Sequence, residues 1–217
     1  MNLLDFARGA AMKWSLAVFV FGIFWRLTGI LLLHRTHDYS VPRAHGALLG
    51  ALRTIIARSW PRREFRARTA YGLAVSYAFH IGLAIVVFGF VPHILLIRSL
   101  TGLGWNGLPD GVIYFCAVVT LIALIMALIR RATHPVLKLL SNFDDYFSWV
   151  VTAAPVVTGL LTVAHYGARY ETLLALHILS FEVLLVWFPF GKLMHGLLLP
   201  VARGQTGAFY ARRGVNP

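Results

Sequence analysis

The sequence is short of charge and almost empty of cysteine. Only 13% of its 217 residues are Asp, Glu, Lys or Arg, about half the share of an ordinary soluble domain. The 8 acidic residues are outnumbered by 20 Lys and Arg. Scarce charge excludes a water-soluble globular chain. The single cysteine, Cys116, sits inside an apolar run. It can close no internal disulfide and cannot supply the roughly four thiolates of an iron–sulfur cluster. Any such cluster belongs to a partner. The N-terminus shows no short apolar region followed by a small-residue cleavage site, so the first helix is expected to remain in the mature protein. No internal repeat is visible, and no polar stretch is long enough to bury a core of its own.

What is present is apolar surface: 59% of residues are hydrophobic and the mean hydropathy is +0.73. Five runs, at about residues 12–33, 71–97, 112–129, 147–164 and 172–200, reach the length of about 20 residues that crosses a bilayer. The expected fold is an all-α integral membrane protein, five transmembrane helices bundled in a single domain. Basic residues collect between alternate runs. The connection at 34–70 carries Arg35, Arg43, Arg53, Arg58, Arg62, Arg63, Arg66 and Arg68, the next one Arg130, Arg131 and Lys138, and the tail at 201–217 is basic as well. Arg8, Lys13, Arg98 and Arg169 fall on the other side. Lys and Arg are retained in cytoplasmic loops, which puts the N-terminus outside and the C-terminus in the cytoplasm. Topology thus accounts for the basic balance without nucleic acid. Within the first connection, HGALLGALRTIIARSW fits either an amphipathic surface helix or a solvated basic loop. The tail reads as extended.

Four histidines lie inside two of the apolar runs. His177 and His195 are eighteen residues apart, five turns of one continuous helix, and so would share a face. His80 and His93 belong to the second run. Polar side chains in hydrocarbon are costly and ask for a partner or a ligand. Counted from the inner ends of the two runs, His93 and His177 match in depth near the outer face, and His80 and His195 pair near the inner face. Two helices with two histidines each meet the requirement for two haems with axial ligands on both sides. Metal without porphyrin is less favoured, because each pair supplies two ligands and no carboxylate. His34, His37, His45 and His134 fall in cytoplasmic connections and read as solvated. His165 ends the fourth run and suits either an interfacial aromatic belt or a contact to a quinone or proton.

The chain resembles the gamma subunit of respiratory nitrate reductase and the wider group of membrane cytochromes b like it, including those that serve heterodisulfide-reductase-like and sulfite-reduction-associated iron–sulfur proteins. The matching text is AVFVFGIFWR (17–26), FHIG (79–82), RRATHP (130–135), GLLT (159–162) and above all LHILSFEVLLVWFPFGKLMH (176–195). The resemblance covers nearly the whole chain. It implies five transmembrane helices, two haems b and quinone chemistry on the outer side, in a bacterial or archaeal cytoplasmic membrane. The family's haem ligands fall on His80, His177 and His195. Its fourth lies ten residues after the first, where this chain has Phe90, and His93, thirteen residues on, takes the role. The lysine near the nitrate reductase quinol site has no counterpart here.

The function expected is that of a quinone-reactive oxidoreductase subunit. Electrons pass between menaquinone or ubiquinone outside and a cytoplasmic iron–sulfur subunit, heterodisulfide-reductase-like or molybdoenzyme-associated, through a His93/His177 haem and a His80/His195 haem. Quinone or proton contacts are expected among His165, Arg98, Asp110 and Arg169. Arg26, Arg130, Arg131 and Lys192 are candidates for haem propionates, since arginine suits paired contacts to carboxylates. Positive-inside placement explains the same four residues without haem. The rival classes are an anchor holding one haem, and a haem-free anchor or proton-conducting transporter in which the histidines relay protons.

Overall fold

The structure, a computed structural model, describes residues 2–34 and 39–215; Arg35 and His37 lie outside the described residues. In chain order the helices are α1 (Leu3–Phe6), a π-helical turn (Ala7–Ala11), α2 (Met12–Leu31), α3 (Ala47–Ala57), α4 (Arg66–Gly89), α5 (Val91–Thr101), α6 (Asp110–Thr133), α7 (Pro135–Leu140), α8 (Phe143–Ala164), α9 (Tyr170–Trp187) and α10 (His195–Arg212). Among the described residues every regular element is helical. Five stretches, Leu3–Leu31, Arg63–Gly89, Asp110–Thr133, Phe143–Ala164 and Tyr170–Trp187, are long and apolar enough to cross a membrane. Their outer faces suit hydrocarbon: on α6, Phe115, Val118, Ile122, Ile125 and Ile129 recur at helical spacing and are exposed.

Two of the expected spans end early, and proline accounts for both. The run at 172–200 is not one helix, because α9 stops at Trp187, just before Phe188 and Pro189. Proline lacks the N–H that would continue the ladder and disfavours helical backbone at the preceding residue. His177 and His195 therefore stand on different helices and share no face. The second run breaks in the same way. Phe90 is extended (φ −80°, ψ 125°) and Pro92 lies in the first turn of α5, so His80 and His93 are also on separate helices. The tail differs too, since α10 makes most of it helical rather than extended. The connection at 34–70 contains the helix that its sequence allowed, α3.

Chain contacts divide the molecule into two compact units. One comprises residues up to Phe19 together with Ala70–Trp187. In it α8 packs against α6 and α9, while α1 and the π turn pack against α9. Asn2 and Asn142 cap their helices in reciprocal pairs with Asp5 and Asp145. Indole N–H groups tie the helices together: Trp149 Nε1 donates to the Leu124 carbonyl at 2.7 Å and Trp187 Nε1 to Ser148 Oγ at 2.9 Å. The loop after α5 repairs the break at Phe90. Pro92 cannot donate to the Phe88 carbonyl, and Trp105 Nε1 does so instead at 2.6 Å. Leu108 N donates to the Gly89 carbonyl at 2.8 Å. Backbone groups in an apolar medium must find such partners.

The other unit comprises Val20–Thr69 and the chain from Phe188 onward. Here α3 packs on α10, with so little space that a Cβ on Gly207 would run into the Gly50 carbonyl and the Thr54 side chain. Leu48, Leu49, Leu52 and Ile56 remain exposed on α3.

Candidate metal centre

The break at Phe90 decides where His93 goes. Because α5 starts afresh there, the His93 ring turns back and its Nδ1–H donates to the carbonyl of Val86, seven residues earlier, at 3.0 Å. Phe90 meets the ring edge-on at 5.3 Å. His177, on α9, points to α8, where its Nδ1–H donates to the Pro155 carbonyl at 3.0 Å with Thr158 Oγ1 at 3.3 Å. Gly159 makes room for it: a Cβ at that position would lie 3.1 Å from His177 Cε1.

These two histidines meet. Their ring centroids are 6.0 Å apart and their planes 21° from parallel, and both rings are partly buried. An imidazole that donates through Nδ1 carries its lone pair on Nε2, the form a metal takes. With metal–nitrogen bonds of about 2.0–2.1 Å and about 1.15 Å from nitrogen to ring centre, two imidazoles on opposite sides of one ion have centroids about 6.4 Å apart. The observed spacing of 6.0 Å lies close to that value. Thr158 also reaches Ser180 Oγ at 3.0 Å, and Ser180 donates to the His177 carbonyl at 2.7 Å, so the turn that carries His177 is braced from two sides.

His80 and His195 have the same kind of support. Nδ1 of His80 is 2.7 Å from the Ser76 carbonyl, and Nδ1 of His195 is 2.7 Å from that of Lys192. Phe79 stacks close to His80, with ring centroids 3.9 Å apart. His80 belongs to the first unit and His195 to the second. His195 lines an open hollow of about 300 Å³ with Arg26, Lys192, Met194 and Leu198, so two of the basic residues singled out in the sequence stand beside one of the histidines.

The remaining basic candidates divide. Arg131 is engaged elsewhere: its guanidinium lies 2.9 Å from Asp145 Oδ1 and donates to Ser141 Oγ at 3.0 Å. Arg130 lies over the Tyr71 ring at 5.9 Å. At the opposite ends of the helices, Arg98, Asp110, His165 and Arg169 are all exposed. His165 takes left-handed backbone (φ 51°) at the end of α8 and stacks with Tyr170 at 5.3 Å. No cluster joins these four among the contacts described. His34, His45 and His134 lie in or beside the connections and are exposed. Three or more His, Cys, Asp or Glu side chains do not gather anywhere among the described residues; His93 and His177 are brought together.

One residue escaped the reading of the sequence. Glu182, in α9, is 5% exposed and its Oε1 has no hydrogen-bond partner among the described residues. The signal was available in LHILSFEVLLVW, where it is the one acid in an apolar run.

No family model matches the chain. A protein of Nitratidesulfovibrio vulgaris (strain Hildenborough), whose name, "Protein", states no activity, is 32% identical over 200 residues, covering 90% of this chain and 84% of that one. The two chains belong to one family. The match spans most of both chains, yet the relative's name brings no assigned chemistry with it.

Proposed function

We propose that this chain is the dihaem b subunit of a membrane-bound respiratory oxidoreductase, carrying electrons between the quinone pool and a cytoplasmic iron–sulfur partner. The observation that carries the reading is the pair His93 and His177, with centroids 6.0 Å apart and each Nδ1 held by a main-chain carbonyl. Haem bound there supplies a one-electron carrier. The chain's own contribution is to hold two neutral imidazoles in register, to keep them in the ligating tautomer and to surround them with apolar side chains. On the sequence resemblance, His80 and His195 are candidate ligands of a second, inner haem, and Arg26 and Lys192, which line the hollow beside His195, are candidates for haem propionates. Arg131 is withdrawn from that role by its bond to Asp145.

In this reading the N-terminus is outside, and quinol is oxidised or quinone reduced near the outer haem, with Arg98, Asp110, His165 and Arg169 as candidate contacts. The resemblance of LHILSFEVLLVWFPFGKLMH and the shorter motifs to the nitrate reductase gamma group supports the two-haem assignment. The arginines between alternate spans support the orientation and a docking face for an acidic cytoplasmic subunit.

The test is haem content by pyridine haemochrome, with reduced-minus-oxidised spectra, on purified wild type, His93→Ala and His177→Ala. Two haems b falling to one in each variant are expected. Two haems unchanged would move the outer site away from this pair, with His165 the next residue to test. No haem in wild type would overturn the reading in favour of a transporter or a plain anchor.

A further inference from the structure

Glu182 is the group for which the electron-carrying reading has no use, and it is the least ordinary residue in the molecule. It lies in a membrane-spanning helix, is 5% exposed, and has Oε1 without a hydrogen-bond partner among the described residues. Chains seldom retain such a group without a task, because polar atoms left unpaired in an apolar medium are costly and intramembrane acids mark ion or proton pathways. It stands five residues from His177, about 7.5 Å along the helix axis. On α9 it shares a face with Ala175, seven residues and nearly two turns away, which is 0% exposed.

Among the described residues, no side chain on the elements packed against α9 forms an ion pair with Glu182. On α8 the acids are Asp144 and Asp145, the first accepting from Ser148 Oγ at 2.7 Å and the second paired with Arg131; Tyr146 is beside them and His165 ends the helix. On α1, Asp5 caps its own helix. Arg8 lies in the π turn and Lys13 in the first turn of α2, both at the N-terminal end of that stretch, whereas Glu182 is in the C-terminal half of α9. Ser15 is a further buried hydroxyl on α2, bonded to the Met12 carbonyl.

We propose that Glu182 is a redox-linked proton site within the membrane, binding one proton when an electron enters the His93/His177 centre and releasing it when the electron leaves. The inference rests on the haem reading above. With no ion pair to it among the described residues, the carboxylate is favoured by the positive charge that an oxidised centre supplies and disfavoured once that charge is cancelled. An electron delivered by quinol cancels that charge, and an O–H bond then forms at Glu182 with a proton drawn from the aqueous side. One electron and one proton arrive together, and both depart together on reoxidation, so net charge in the apolar interior does not change.

The experiment is redox-poised infrared difference spectroscopy on the purified haem-loaded protein, in water and in heavy water, with the haem absorption recorded on the same sample. Reduction should produce a protonated-carboxyl band that shifts in heavy water and is absent from Glu182→Gln. The potential of the outer haem should change by about 59 mV per tenfold change in proton activity in wild type and lose that dependence in the variant. Should Glu182→Gln fail to accumulate, Glu182→Asp keeps the acid and must move the band; an unmoved band overturns the proposal. Haem present with no such band, or with a band retained in Glu182→Gln, sinks the proton site and leaves the electron carrier standing. An absence of haem absorption sinks both.

Discussion

Gly159→Ala tests the geometry of the histidine pair through a single methyl group. The added carbon would lie 3.1 Å from Cε1 and 3.3 Å from Nδ1 of His177, where ordinary contacts begin at about 3.5 Å. The ring must retreat by roughly half an ångström, which stretches its bond to the Pro155 carbonyl, now 3.0 Å, beyond the useful range of about 3.2 Å. Losing that bond costs about 1 kcal/mol, and overfilling a packed contact costs a further 1–3 kcal/mol or so. Alanine returns up to about 1 kcal/mol through its better helix propensity. The net expectation is a loss of about 1–4 kcal/mol in stability, and a 10–100-fold weaker hold on a metal-bound group, as when a ligand's supporting contact is removed. The assay is thermal unfolding in detergent together with haem content after dilution. Gly29→Ala is the control, because no atom lies within 4 Å of the carbon it adds; it should be neutral or slightly stabilising. Equal behaviour of the two variants would refute the argument that Gly159 exists to seat His177.

Trp105→Phe should cost about 1–2 kcal/mol, since the Phe88 carbonyl loses the donor that replaces the one missing at Pro92; unfolding should report the loss, and an unchanged transition would mean that another donor takes over. Arg131→Gln and Asp145→Asn should each destabilise by about 1–2 kcal/mol, with the double variant losing less than both effects added, because the two share a 2.9 Å ion pair; strict additivity would disprove the coupling. Gly207→Ala should force α3 away from α10 at a cost of about 1–3 kcal/mol, which limited proteolysis in the connection at 34–70 should register as faster cleavage, while an unaltered rate would show that the contact yields cheaply.

Much of this protein was legible in its residues, for reasons that can be named. Hydrocarbon tolerates little charge and demands that every backbone group bond within its own segment, so apolar runs of about 20 residues declare themselves as helices. The five helices long and apolar enough to cross a membrane follow from that. Depth along the runs also brought His93 to the level of His177. The helix ends were less legible. The run at 172–200 is apolar throughout, and only the backbone chemistry of Pro189 stops α9 at Trp187; an argument built on one continuous helix placed His177 and His195 on a common face that does not exist. Glu182 was missed because histidines drew the notice, although an acid amid apolar residues carries the same kind of signal.

Composition and spacing alone decide the class of molecule, the number of stretches long and apolar enough to cross a membrane and which side chains are polar inside apolar segments, because each depends on local cost in water or lipid. They cannot decide which nitrogen of a histidine is occupied, or which carbonyl occupies it. Val86 receives His93 only because Phe90 leaves the helix, and Pro155 receives His177 only because Gly159 has no side chain. Both depend on atoms far apart in the chain approaching within about 3 Å. Likewise Arg130 and Arg131 are neighbours of equal charge in sequence, but the fold gives Arg131 the carboxylate of Asp145 on α8 and lays Arg130 over the ring of Tyr71 on α4. Charge and hydropathy are properties of residues, whereas a ligand's tautomer, a bridged arginine and an acid without a partner are properties of the packed chain.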